Sequence, residues 1–168
     1  MLDLTQLPSK APEYDLQELL EAGSHFGHQV AKWHPRMKRF IYMEKDGVHI
    51  FDLAKTSAQL QQAYNAAYEL GKSGKVLLLI GTKRQAKEVV EEVGTAQKVP
   101  FVIDVNREKI AIKEANNMGT FTIALTDSNA NPDLVDIAIP ANDDGRKSIE
   151  YVVNAVIAGY VAGKNDKA

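Results

Sequence analysis

Five short apolar runs, separated by stretches of helical periodicity, constrain this chain more than any other feature. They fall at 48–52, 76–80, 101–105, 121–125 and 136–139. Each has strand length and few polar side chains, as in a strand buried on both faces. Leu60, Ala63, Tyr64, Ala67 and Tyr68 recur at helical spacing in 55–70. Ile149, Val152, Val153, Val156, Ile157 and Tyr160 do the same in 145–161. Segments 83–93 and 108–118 also read as helices, the second closed by Gly119. This alternation predicts an α/β fold: a doubly wound, five-stranded parallel sheet between helical layers, three-layered and flavodoxin-like (Rossmann-like). The link at 126–135 has no room for a helix and holds the turn formers Asp127, Asn129, Asn131, Pro132 and Asp133.

Residues 1–14 carry Pro8 and Pro12 and no periodicity, so a flexible N-terminal segment is expected. A single α/β domain over 15–163 and a flexible tail over 164–168 complete the organisation. Asp15 precedes a short helix bearing Leu16, Leu19 and Leu20, ended by Gly23; 24–39 reads as a loop. Segments 39–43 and 48–53 are strand-like, and Asp46-Gly47 between them is a turn signal. Nothing at the N-terminus has the basic-then-apolar form of a secretory signal. The longest apolar run, 76–80, is too short to span a bilayer. A cytoplasmic protein without membrane contact is expected.

Charge is unevenly placed. Between His25 and Met43 there are four cations, three histidines and no acid, while the whole chain is at −2 and the remainder therefore at −6. A basic patch on an acidic body fits one-sided contact with a polyanion. In the patch, Lys32, Arg36, Lys38 and Arg39 can meet phosphates, with His34 and Pro35 among them and Trp33 offering a stacking face. Trp33 reads more readily as packed than stacked. His25 and His28 flank Phe26-Gly27 and suit either RNA contact or a glycine-bent loop. Their spacing is not that of a zinc motif and the chain has no cysteine, so no metal site is expected. Gly81-Thr82-Lys83-Arg84 opens a helix after a strand, where an anion is favoured, so Lys83 and Arg84 join the RNA-binding set. No phosphate-loop motif accompanies them, and no cofactor is implied. Asp104, Asp127 and Asp136 stand at strand ends, where caps and turns account for acids more simply than Mg²⁺ does. No serine–histidine–acid or cysteine–histidine set stands out, so no catalytic residue is assigned.

Several ordered stretches carry a resemblance. LQELLEAGSHFGH (16–28), WHPRMKRFI (33–41), VHIFDLAKT (48–56) and IGTKR (80–84) come first. FVID (101–104), IAIKEANNMG (110–119), TDSN (126–129), NPD (131–133) and IPANDD (139–144) follow. Together they resemble the bacterial small-subunit (30S) ribosomal protein S two family, collinearly from about Leu16 to Gly163. The resemblance implies a structural constituent of the ribosome and not an enzyme. It implies docking on 16S rRNA, recruitment of ribosomal protein S one, and contact with other small-subunit proteins. It departs at one place: the family carries a long insertion with a helical hairpin before the strand at Phe101, and here only Lys98-Val99-Pro100 bridges the gap. The hairpin is a contact arm in the family, so an arm-deleted scaffold for protein binding is a second reading. A nucleotide- or phosphate-binding enzyme on a flavodoxin-like sheet is a third, since the architecture hosts many functions.

Overall fold

A computed structural model describes residues 7, 9–94 and 101–166. The junction expected at 98–100 lies outside them, as do residues 167–168 of the expected tail.

The elements run α1 (Leu16–Glu21), β1 (Phe26–Gln29), β2 (Ile41–Lys45), β3 (Val48–Phe51), α2 (Leu53–Lys72) and β4 (Leu79–Ile80). Then follow α3 (Arg84–Gly94), β5 (Phe101–Ile103), α4 (Lys109–Asn117), β6 (Ile123–Thr126), β7 (Ile137–Pro140) and α5 (Arg146–Asn165). The fold is α/β, but the strands form two sheets. A parallel sheet has the order β4-β5-β6-β7, and an antiparallel sheet has the order β1-β3-β2. This corrects the five-stranded parallel expectation. The run at 48–52 joins β2 through Asp46-Gly47, both at positive φ, in a tight hairpin. A turn of that kind can only connect antiparallel strands. The expected loop at 24–39 also contains β1, paired with β3, and two 3₁₀ turns at Val30–Lys32 and Pro35–Phe40.

Both faces of the parallel sheet are covered. Ile123, Leu125, Ile137 and Ile139 pack with Leu60, Ala63, Ala67, Ile149, Val153 and Val156 of α2 and α5, and with Ala86 and Val89 of α3. Ala124, pointing the other way from its neighbours in β6, packs with Ile112 of α4, Val105 and Ala130. So α3 and α4 lie on opposite faces, although the strands step in one direction from β4 to β6. The two crossovers therefore have opposite hands, whereas about 98% of such units are right-handed.

The α2–α5 contact is close because small residues line it. A Cβ on Gly163 would collide with the Tyr68 carbonyl, and one on Gly71 with the Tyr160 carbonyl. Of the N-terminal segment expected over 1–14, residues 1–6 and 8 also lie outside the described residues. Lys10 and Ala11 donate their N–H groups to Asn65 Oδ1 of α2, at 2.9 and 2.8 Å, and Tyr14 is buried. The expected tail is helical as far as Asn165, and Tyr68 donates its hydroxyl to Asp166. Among the described residues, no helix is long and apolar enough to cross a membrane.

Candidate nucleic-acid interface and the acid cluster behind it

Pro35 at the first position of its 3₁₀ turn leaves the chain ready to coil, and His34 caps it, Nδ1 accepting from Arg36 N–H at 3.3 Å. Met37 and Phe40 point inward and form a small core with Phe51. That anchoring turns Arg36, Lys38 and Arg39 to solvent, with Lys32 exposed just before them and His34 half-buried. The segment is held from behind as well, since His34 N–H donates to the Ser128 carbonyl at 2.7 Å. Trp33 rests against His49 with ring centres 5.2 Å apart but keeps 36% of its surface exposed, so it is not the packed residue expected.

The patch is not free of acid, as the local sequence implied. Asp133 lies 3.4 Å from Arg36 and 3.1 Å from Arg39. Lys32 and Lys38 have no ion pair among the described residues. Asp133 is 94 positions from Arg39 and was invisible to a local reading. Lys55 extends the basic face, donating to the Arg39 carbonyl at 2.6 Å while pairing with Asp52.

Lys83 and Arg84 part company. Arg84 is exposed at the start of α3. The Lys83 side chain is only 12% exposed, and its ammonium is enclosed by Asp143 at 2.6 Å, Asp144 at 2.7 Å and Asp104 at 3.4 Å. Burial alone would depress its pKa, but the carboxylates outweigh burial and hold it above the ordinary range. An ammonium already ringed by three carboxylates is poorly placed to meet an RNA phosphate.

His28 is likewise turned inward. Nδ1 lies 2.9 Å from Asp127 Oδ1, and Nε2 lies 3.6 Å from Asp144 Oδ2. Asp127 is the main cause raising its pKa; burial opposes this, and Asp143 and Asp144 add to it. Asp143 is pushed up to about 7, first by burial and then by the neighbouring Asp127 charge, against the pull of Lys83. These acids follow the carboxyl ends of the parallel strands, the usual ligand edge of such sheets. Asp104 adopts a positive φ of 68°, with Oδ1 accepting from Asn106 N–H at 3.0 Å. His28, Asp127 and Asp143 offer ligand atoms all within 4.8 Å of one another. His25 instead stacks on Phe26, ring centres 3.9 Å apart, and burial lowers its pKa. Both rings line a groove of about 890 Å³ with Leu16, Leu20, Tyr42 and Met43, and Tyr42 is 72% exposed.

The profile of the family described as Ribosomal protein S2 matches residues 19–102 and 91–163. The chain belongs to the ribosomal protein S2 family. The S2 family is one of structural ribosomal proteins, not of enzymes. Relatives named small ribosomal subunit protein uS2 include that of Dictyoglomus thermophilum, 30% identical over 221 aligned positions, covering 89% of this chain and 90% of the relative. That of Coprothermobacter proteolyticus is 30% identical over 223 positions (90% and 83% covered). That of Bacteroides fragilis is 31% identical over 220 positions (89% and 79% covered). These alignments run over more positions than the 168 residues of this S2 chain, so the relatives carry a stretch without counterpart here. The two matched pieces meet over 91–102, which places that stretch between α3 and β5.

Proposed function

We propose that this chain is a structural constituent of the small ribosomal subunit in the cytoplasm. It docks on 16S rRNA through Lys32, His34, Arg36, Lys38 and Arg39, with Arg84 as an outlying contact. The observation that carries this reading is the 3₁₀ turn at Pro35–Phe40, which buries its apolar side chains and sets its cations on one exposed face. Phosphate contact by such cations releases counterions and makes binding salt-dependent. Asp133 orients Arg36 and Arg39 and reduces their charge, so Lys32 and Lys38 carry the larger share of the field. Other small-subunit proteins complete the contacts. Ribosomal protein S one is recruited at the apolar groove, where exposed Leu16, Leu20, Phe26, Tyr42 and Met43 suit an apolar segment of a partner protein. A phosphate-binding enzyme is not supported, because the helix start expected to cradle the anion is filled by the Lys83–carboxylate cluster.

The test is co-sedimentation with small subunits depleted of their S2 protein, at several salt concentrations. Salt-sensitive, stoichiometric retention is expected. Lys32→Ala with Lys38→Ala should lower the slope of log binding against log salt by about 2, roughly one per lost phosphate contact. Unchanged retention by the double variant would remove the basic segment from the docking site.

A further inference from the structure

Burial in the basic segment is selective. Met37 and Phe40 turn inward, while Trp33, the single tryptophan of the chain, stays 36% exposed. Tryptophan is highly buried on average, because its large apolar surface gains much from leaving water. The exposure here does not come from a loose backbone. Trp33 stands in extended conformation between the 3₁₀ turns at Val30–Lys32 and Pro35–Phe40. Before it, Val30 N–H donates to the Gly47 carbonyl at 3.0 Å; after it, His34 N–H donates to the Ser128 carbonyl at 2.7 Å.

The indole is backed on one side. Buried His49 lies against it, the rings tilted by 43° and within the usual separation of aromatic pairs. Val48 and Ile50 line the apolar groove, so strand alternation sends His49 to the opposite face of the antiparallel sheet. A partner seated in the groove therefore leaves the indole open. Charge names what the open face takes. Lys32 beside it and Lys38 in the following turn have no ion pair among the described residues, and the Arg36 side chain is exposed. Cations around an open aromatic ring are the arrangement that holds single-stranded nucleic acid, with phosphates on the cations and a base on the ring. A duplex cannot use it, because its bases are stacked on one another; a loop, bulge or strand end can.

We infer that Trp33 is a base-stacking platform: the RNA on the basic segment lays an unpaired nucleobase on the exposed indole face while Lys32 and Lys38 hold the flanking phosphates. The inference rests on the reading of that segment as the RNA-docking surface, and adds which kind of RNA docks there. Every base has a stacking face, so the platform selects unpaired over paired RNA and not one sequence over another. His49 holds the ring in place beforehand, so little side-chain freedom is lost on binding.

The test uses the whole chain and its one tryptophan, whose emission reports on this position alone. The probes are an unstructured oligoadenylate of about ten nucleotides and an RNA duplex of equal length, each end-labelled so that anisotropy measures binding independently. At low salt both should bind, and only the single strand should quench Trp33 emission, by at least half at saturation. Trp33→Ala should weaken single-strand binding about tenfold and duplex binding less than twofold. Trp33→Phe, which keeps a stacking face, should recover most of the loss. Lys32→Ala with Lys38→Ala should weaken both RNAs while the quench at saturation stays. Single-strand binding without quenching, equal quenching by the duplex, or unchanged affinity in Trp33→Ala would overturn the stacking role and leave phosphate docking in place. Failure of either RNA to bind at low salt would overturn the docking reading and the platform with it.

Discussion

Replacing Lys83 with methionine is expected to cost about 3–5 kcal/mol of folding stability, because it strands buried carboxylates without their ammonium. The substitution keeps the length of the side chain, so packing changes little. What changes is that Asp143, 2% exposed, and Asp104, 13% exposed, lose the charge 2.6 and 3.4 Å away. Urea unfolding in chelator-treated buffer should show a midpoint lower by roughly 1–2 M for a typical slope. Adding Asp143→Asn to Lys83→Met should recover part of the loss, since removing a stranded charge relieves its desolvation cost. A loss under about 1 kcal/mol, the value of a surface ion pair, would show that the cluster is solvated and not a buried counter-ion site.

Gly163→Ala is expected to destabilise by about 3 kcal/mol, at the upper end for an overpacked core position. In an exposed helix the same change would gain about 1 kcal/mol from helix propensity, so the sign itself is diagnostic. The added Cβ meets the Tyr68 carbonyl, which is backbone and cannot rotate away, and α2 and α5 must separate along their length. Their faces carry Ala63, Ala66 and Ala67 against Val152, Val156 and Gly159, all fully buried or nearly so. A thermal scan should show a Tm lower by roughly 6–12 °C for a chain of this size. An unchanged or higher Tm would mean that the helices are not in backbone contact.

The helices and the apolar strands were legible because their periodicity is local. The sheet to which each strand belongs was less so. The run at 48–52 reads as buried on both faces, yet Val48 and Ile50 line the groove while His49 and Phe51 are buried. The deciding signal was present: Asp46-Gly47 permits only an antiparallel partner. The basic segment was legible as an exposed face, but its neutralisation by Asp133 was not, because ion pairs across the fold leave no trace in nearby residues. The surroundings of Lys83 were hidden for the same reason. A cation at a helix start reads as an anion cradle until Asp104 and Asp143, 21 and 60 positions on, arrive to fill it. Acids recurring after successive strands were the available clue, and capping explained each singly while missing their convergence.

The opposite hands of the two crossovers have a consequence for the order in which the chain folds. The α2–α5 layer with β6 and β7 contains the densest apolar packing and needs no disfavoured crossover, so it is the natural nucleus. Among the described residues β4 meets β5 at two paired positions, Leu79 with Phe101 and Ile80 with Val102, and Val76 and Leu78 beside it are 60% and 49% exposed. The hand that units of this kind favour cannot serve both α3 and α4, so this edge gains least from early pairing. Substitutions at Val152 or Val156 should then slow folding, whereas those at Leu77 should act chiefly by speeding unfolding. The stretch that relatives insert after α3 falls at this late-forming edge, where a change in chain length disturbs the nucleus least.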